Sequence, residues 1–216
     1  MFPELNWPHF KPMFSEGQLR ELLDSLETPG IYINEHFIDL KYTQELKAFA
    51  QNNLAEDQFR SAKIGQTGHA NDNPTIRSDQ ILWVSEFSGH LNLVGLWLNE
   101  LSTEIKNFFR VSIKDIESHF SIYPAGSRYA KHCDCGPNDS ARLFTFIFYL
   151  NSEWTPDDGG ELIIYNPTNP TEVIYKIAPN SGTFVIFRSD LFFHEVLISK
   201  KPRYTFTGWL RRDARI

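Results

Sequence analysis

Between residues 129 and 151 the chain reads YAKHCDCGPNDSARLFTFIFYLN, with a histidine, an acid and two cysteines at positions 132 to 135. Three chemistries compete for HCDC: a thiolate zinc site, a redox pair, or two metal ligands that merely have cysteines beside them. Side chains on a strand alternate between faces. A strand over 129 to 134 therefore turns His132 and Asp134 to one side and Cys133 and Cys135 to the other, and one ion cannot be held by all four. A thiolate zinc site needs further soft ligands, whereas the chain has only 2 cysteines in all. A disulfide between them would close a tiny, strained ring. The cysteines are expected to be free thiols that act as small apolar groups on the outer face.

His132 and Asp134 become a metal site only with a third ligand. Of the other histidines, His9, His36, His69 and His90 fall in loops or helices ahead of the β-rich part of the chain, and His119 falls on a neighbouring strand. His194 stands apart, opening the run His194-Glu195-Val196 after the turn Arg188-Ser189-Asp190. Two histidines and one carboxylate on a barrel wall form a facial triad that leaves coordination positions open, the arrangement of non-haem iron oxygenases. A His-x-Asp pair alone is a weak signal; the strand after His194 strengthens it. There, period-two alternation puts Arg203, Thr205, Thr207 and Trp209 on one face, aiming an arginine and two hydroxyls into an apolar interior. A buried guanidinium needs an anion. On residues 143 to 150, Leu143, Thr145, Ile147 and Tyr149 share a face while Phe144, Phe146 and Phe148 take the other, which places the Tyr149 phenol beside Arg203. A planar fork plus a hydroxyl suits one carboxylate of a small diacid.

These side chains need a scaffold, and the periodicity supplies one. Residues 16 to 26 carry Leu19, Leu22, Leu23 and Leu26 at the spacing of one helical face. Residues 30 to 33 and 80 to 84 read as strands, 39 to 53 as a helix with Leu40, Leu46 and Phe49 in one stripe, and 91 to 109 as a long amphipathic helix. Gly, Asn, Asp and Pro crowd residues 65 to 74, a loop long enough to act as a functional flap. From 116 to 210 come short β-rich runs at 118 to 123, 129 to 134, 143 to 150, 161 to 165, 173 to 177, 183 to 187, 193 to 197 and 203 to 210. Helices followed by strands predict a mainly β fold with flanking helices (α+β), its core a double-sheet jelly roll. The expected organisation is one domain over 1–216, with a buttress of helices and strands over about 1–115 and the jelly-roll core over about 116–210.

Composition agrees with one packed unit. The 216 residues are 41% hydrophobic, with 18 Phe, and 22% charged, which is globular rather than disordered. A formal net charge of -6 offers no basic footprint for nucleic acid or anionic membrane. No stretch reaches the roughly 18 apolar residues of a membrane span. Free thiols suit a reducing compartment, so the expected setting is cytoplasmic.

The segments YPAGSRYAKHCD, FYLNSEW, DDGGELIIY, IAPNSGTFVIFRSD and HEVLISKKPRYTFTGWL together resemble the iron(II)- and 2-oxoglutarate-dependent prolyl 4-hydroxylase family, in particular its bacterial and oxygen-sensing cytosolic members. The likeness runs from Tyr123 to Leu210, with a fainter one from Gly30 to Val84. It implies a double-stranded β-helix in which His132, Asp134 and His194 bind iron and Arg203 anchors the distal carboxylate of 2-oxoglutarate, assisted by Tyr149 and Thr207. Tyr123 matches a tyrosine near the iron end of the cosubstrate, although this chain is one residue shorter between it and His132. Arg142 and Trp209 match residues beside a proline-binding cleft. The loop 64 to 75 with Arg77 and Asp79 corresponds to a mobile substrate loop, in which Ser78 stands where the family has glycine. The implied cofactors are Fe(II), 2-oxoglutarate, O2 and ascorbate. The implied reaction is hydroxylation of a prolyl residue, at C4, in a protein or peptide, with release of succinate and CO2. Two other readings stay open: an oxygenase of the same kind acting on a free amino acid or other small molecule, and a metal- or sugar-binding jelly roll without activity.

Overall fold

The structure is a computed structural model that describes residues 14–63, 73, 75–135 and 141–213. The loop expected over 65 to 74 lies outside the described residues apart from Asn73.

Three helices precede the jelly roll: α1 (Glu16–Glu27), α2 (Leu40–Ala55) and α3 (Asn92–Phe109). Ser15 starts α1 with a capping box, its hydroxyl taking the Gln18 N–H and the Gln18 side chain taking the Ser15 N–H. Asp39 caps α2 by accepting from the backbone N–H of Lys41 and Tyr42. Each buries part of the stripe that the periodicity predicts, with Leu22, Leu26, Leu46, Val94 and Leu98 fully enclosed, but Leu40, expected in the α2 stripe, is 60% exposed at the first turn of its helix.

Among the described residues, eleven strands follow the order β1 (Ile31–Asn34), β2 (Arg60–Ser61), β3 (Gln80–Val84), β4 (Asp115–Tyr123), β5 (Tyr129–His132), β6 (Arg142–Tyr149), β7 (Leu162–Tyr165), β8 (Val173–Ile177), β9 (Phe184–Arg188), β10 (His194–Val196) and β11 (Arg203–Arg211). They form a seven-stranded sheet, β1-β9-β6-β11-β4-β3-β2, and a four-stranded sheet, β5-β10-β7-β8. Every named pair is antiparallel. The early strands β1 and β3 thus join the same large sheet as β6 and β11.

The alternation on β6 sorts two cores. Phe144, Phe146 and Phe148 pack with the helices on one face of the large sheet, while Ile147 and Tyr149 pack with Leu162, Ile164 and Val196 between the sheets. Leu143 leaves this pattern and packs on the helical side. The reason is a bulge: Leu210 pairs with Phe144 but Arg211 pairs with Arg142, which leaves Leu143 as an extra residue. Phe146 and Phe148 anchor the helical layer at 0% and 1% exposure, and truncating either to alanine would cost about 3–5 kcal/mol. At the centre of the large sheet β11 runs unusually close to its neighbours. A Cβ on Gly208 would sit 2.0 Å from the Glu117 carbonyl oxygen and 2.8 Å from the Phe146 ring, so glycine is required there.

One sequence expectation is corrected. β5 ends at His132, so the strict alternation invoked for residues 132 to 135 does not extend to Asp134. Beyond the last ladder pair the backbone is free to turn, and it is this turn that lets Asp134 face His132. Cys133 and Cys135 form no disulfide and are half-buried rather than packed on an outer sheet face, and the Cys133 thiol donates to the Ser189 carbonyl at 3.2 Å. No helix among the described residues is long and apolar enough to cross a membrane.

Candidate active site

His132 on β5 and His194 on β10 are direct cross-strand partners, with ring centroids 4.2 Å apart. Asp134, just past β5, points its carboxylate at both: Oδ1 lies 3.6 Å from His132 Nε2 and Oδ2 lies 3.6 Å from His194 Nε2. One ligand atom from each residue falls within 4.8 Å of the others, and this is the group of candidate metal ligands found among the described residues. Neither cysteine belongs to it.

Protonation follows from the backbone. His132 Nδ1 lies 2.8 Å from the Ala130 carbonyl and His194 Nδ1 lies 3.2 Å from that of Phe192. A carbonyl only accepts, so each Nδ1 carries the proton and each Nε2 presents a lone pair toward the shared centre. Burial, together with the facing His132, pushes His194 down to about 4, so it is neutral and ready to ligate at ordinary pH. Burial works against the Asp134 charge, yet His194 and His132, in the acid range where they carry a proton, hold the carboxyl well below the usual carboxylate range. The Thr145 hydroxyl donates to Asp134 Oδ2, the oxygen that faces His194, with a 2.7 Å bond and also touches the Ser189 hydroxyl at 2.9 Å. Two imidazoles and one carboxylate on one side of a cavity fit a divalent metal that keeps positions open. Tyr129, on the same strand, stacks on His132 with centroids 3.6 Å apart and planes within 15°.

The same cavity extends along β11 to Arg203, which is 2% exposed. Its guanidinium lies 4.9 Å from the Tyr123 ring centre and 5.1 Å from that of Tyr149. Its Nε and the Tyr149 hydroxyl are buried without a hydrogen-bond partner, and no ion pair among the described residues includes Arg203. Burial pushes the Tyr149 phenol up and the adjacent guanidinium offsets part of that rise. Gly160, at φ +71, passes so near that a Cβ would lie 3.2 Å from Arg203 Cδ. A desolvated cation without a counter-charge is costly, and an anion is the group that would balance it.

The profile of the 2OG-Fe(II) oxygenase superfamily matches residues 118–211, the stretch that carries both the triad and Arg203. The fold superposes on a Pseudomonas putida prolyl-4-hydroxylase with a TM-score of 0.81 and 30% sequence identity, covering 90% of this chain and 99% of that one. The chain belongs to the 2-oxoglutarate/Fe(II) prolyl hydroxylase family. A second member of that fold, a prolyl hydroxylase from Trichoplax adhaerens solved with a hypoxia inducible factor oxygen degradation domain peptide fragment, gives a TM-score of 0.79 at 25% identity and covers 92% and 94% of the two chains. Egl nine homolog 1 of Mus musculus is 28% identical over 142 residues, which are 62% of this chain and 35% of that protein. The match thus spans about a third of the length of that relative.

In this prolyl hydroxylase-family chain the remaining expected site residues fall at both ends of the cavity. Tyr123 pairs with Arg203 across β4 and β11. Thr207 borders the cavity and donates its hydroxyl proton to the Phe146 carbonyl at 2.7 Å. Trp209 sits at the opposite end of the β11 face from Arg203, with the Arg142 guanidinium stacked 3.5 Å above its ring. Arg142 is also 3.6 Å from Glu117, which accepts a 2.6 Å bond from Arg211. Arg77 lines the cavity over the Tyr129 ring and holds Asp79 in a two-point pair at 2.7 and 3.0 Å. Asp79 itself is 2% exposed and also accepts from Ser121, so it faces Arg77 rather than open space.

Several contributors were not singled out in advance. Thr145 and Ser189 tie Asp134 down, Tyr129 stacks on His132, Glu117 joins Arg142 to Arg211, and His119 borders the cavity between Trp83 and Trp209. The inward face of β4 was the available signal: Tyr123, Ser121, His119 and Glu117 alternate there.

Proposed function

We propose that the protein is an Fe(II)- and 2-oxoglutarate-dependent dioxygenase that hydroxylates a prolyl residue, at C4, in a protein substrate and releases succinate and CO2. The observation that carries this reading is a buried Arg203 with no counter-charge among the described residues, in the same cavity as three convergent metal-ligand atoms. Binding a metal alone needs no such arginine, and a sugar needs no unpaired cation.

His132, Asp134 and His194 would hold Fe(II), which supplies the redox chemistry by which O2 converts 2-oxoglutarate to succinate and CO2 and inserts one oxygen atom into a substrate C–H bond. The chain's own part is orientation. Arg203 presents a fork to the distal carboxylate of 2-oxoglutarate, and the unpartnered Tyr149 hydroxyl adds a donor beside it. Tyr123 and Thr207 bound the cosubstrate along β4 and β11. Ile147, Leu162 and Val196 make the walls between them apolar, which excludes water. Arg142, Trp209, Arg77 and, through Arg77, Asp79 form the opposite end, where a prolyl substrate would enter. The structural likeness to a Pseudomonas putida prolyl-4-hydroxylase and to a Trichoplax adhaerens enzyme bound to a peptide supports proline in a peptide over a free small molecule. Because β1 and β3 complete the sheet that carries Arg203, the helical buttress and the core belong to one catalytic domain. A cytoplasmic setting, with ascorbate available as a further cofactor, fits two cysteines beside the site that form no disulfide.

The test is to supply Fe(II), 2-oxoglutarate and O2 to the purified protein with a cell extract and to follow succinate together with proteins that gain one oxygen atom on proline. Coupled, stoichiometric appearance of both is expected. Succinate formation driven by free proline or another small molecule, with no modified protein, would replace the protein substrate by the small-molecule alternative.

A further inference from the structure

Across the large sheet, Trp83 on β3, His119 on β4 and Thr207 on β11 are consecutive cross-strand partners, so their side chains share one rung. His119 is 1% exposed and borders the cavity of the triad. Its ring lies 4.8 Å from that of Trp83 and 5.4 Å from that of Trp209, an aromatic wall on the side of the cavity away from Arg203. Two nitrogen atoms in this wall, His119 Nδ1 and Trp209 Nε1, are buried with no hydrogen-bond partner among the described residues. Burial and the nearby Arg77 push the imidazole down to about 3, so the ring stays uncharged. A buried polar atom left unpaired is unfavourable, and a ligand that brings the missing partner relieves that cost. An indole nitrogen can only donate, whereas a neutral imidazole nitrogen can accept. One acceptor and one donor on the same wall complement the N–H and C=O of one residue in an extended chain, which point to the same side.

We propose that His119 is a specificity-determining residue which, together with Trp209, reads a backbone unit flanking the reacting residue, the N–H and C=O of one extended residue, Nδ1 accepting the N–H while the indole donates to the carbonyl. This rests on the proposed peptide substrate and adds to it a reason why a free amino acid, which lacks that unit, is discriminated against. Trp83, 48% exposed, forms the outer rim of the same wall and covers His119 from solvent.

The probes are acetylated, amidated pentapeptides with a central proline and, for the tightest binder, analogues N-methylated at each residue flanking that proline. Affinity is measured on Zn(II)-loaded protein with 2-oxoglutarate present, so turnover is not needed. His119→Phe keeps a ring but removes the acceptor; it should weaken the peptide by about tenfold and change 2-oxoglutarate affinity by less than about twofold. His119→Asn, whose side-chain amide falls near the Nδ1 position, should recover to within about threefold of the parent. One N-methyl analogue should lose about tenfold on the parent and nothing further on His119→Phe, the signature of a shared contact. The 15N signal of His119 Nδ1 should move when the unmodified peptide is added and stay when that analogue is added. Equal peptide affinity of parent and His119→Phe, or an equal N-methyl penalty in both, overturns this inference and leaves the peptide substrate standing. Failure of every pentapeptide to bind while free proline is turned over overturns the peptide substrate and this inference with it.

Discussion

The cavity has two ends, and both carry arginine, but they treat the charge in opposite ways. At the outer end Arg142 and Arg211 share Glu117 at 3.6 and 2.6 Å, Arg211 also meets Asp213 at 3.0 Å, and Arg77 grips Asp79 at 2.7 Å. At the inner end Arg203 is as deeply buried as any of them and has no acid among the described residues. A paired guanidinium is part of the architecture, because its desolvation is already offset within the fold. An unpaired one is a site, because the offset must come from a ligand. The contrast separates a wall that is preset to receive a largely neutral peptide from a pocket preset to receive an anion, with the triad between them.

The largest effect should come from the middle, on which both ends depend. Asp134→Ala removes the carboxylate that faces both imidazoles and should lower Fe(II) or Co(II) affinity by more than about a hundredfold, whereas Thr145→Val, which only frees that carboxylate, should lower it about tenfold to a hundredfold. Metal titration with both variants distinguishes them; undiminished metal affinity in Asp134→Ala would move the centre elsewhere. Next in size, Arg203→Ala should weaken 2-oxoglutarate binding by about tenfold to more than a hundredfold in an anaerobic titration, since a charge-assisted bond is worth roughly 1.5–3 kcal/mol. Arg203→Lys keeps the charge without the fork and should fall between. If Arg203→Ala binds the cosubstrate as tightly as the parent, the inner end is not the anion pocket.

The outer end should answer in stability rather than in cosubstrate affinity. Glu117→Ala leaves Arg142 and Arg211 without their shared acid and should destabilise the fold by about 1–3 kcal/mol, less than a fully buried pair because both arginines keep some solvent contact. Denaturant melts read this, while 2-oxoglutarate affinity should hold. The outer end also carries a proton effect. His119 is held at about 3 when folded against 6.5 as an ordinary histidine, so above about 6.5 it is neutral in both states. Between those values only the unfolded chain takes up the proton, and stability therefore falls by about 1.4 kcal/mol per unit as the pH drops. His194, at about 4 in the metal-free protein, adds a contribution of the same sign. Acid titration of metal-free His119→Phe should show the slope reduced by one proton; an unchanged slope would mean that His119 is not buried neutral.

Much of this contrast was legible in the sequence because its chemistry is sparse. A single arginine heading an apolar-faced strand and a His-x-Asp with one later histidine leave few alternatives, and period-two alternation on β6 and β11 correctly put Thr145, Tyr149, Thr207 and Trp209 on the working face. Strand order was the missing information. That β4 lies between β11 and β3 decides that His119 stands between two tryptophans, and no local periodicity encodes which strands pair. The alternation argument failed where a strand stops: Asp134 faces His132 through a turn past β5 rather than through the pleat. Leu143 failed for the related reason that a bulge inserts one residue. Tyr129 stacked on His132 lay in the quoted motif itself, but stacking depends on a rotamer that sequence spacing does not specify.

The smallest expected effect has the opposite sign and is the sharpest test of the contrast. If Arg203 is unpaired until a ligand arrives, the ligand-free fold carries the full desolvation of that guanidinium with nothing to offset it beyond the faces of Tyr123 and Tyr149. Arg203→Met fills nearly the same volume, keeps the packing against Gly160 and removes the charge. The metal-free, cosubstrate-free variant should therefore be as stable as the parent or more stable, by about 1 kcal/mol. Adding 2-oxoglutarate with Zn(II) should then raise the melting temperature of the parent well above that of the variant, because ligand that binds only the folded state stabilises it by mass action. The crossing of the two proteins on ligand addition is the measurement. Were Arg203→Met to destabilise the ligand-free fold by as much as Glu117→Ala does, Arg203 would have to be satisfied from within the protein, and the two ends of the cavity would differ only in which partner is seen.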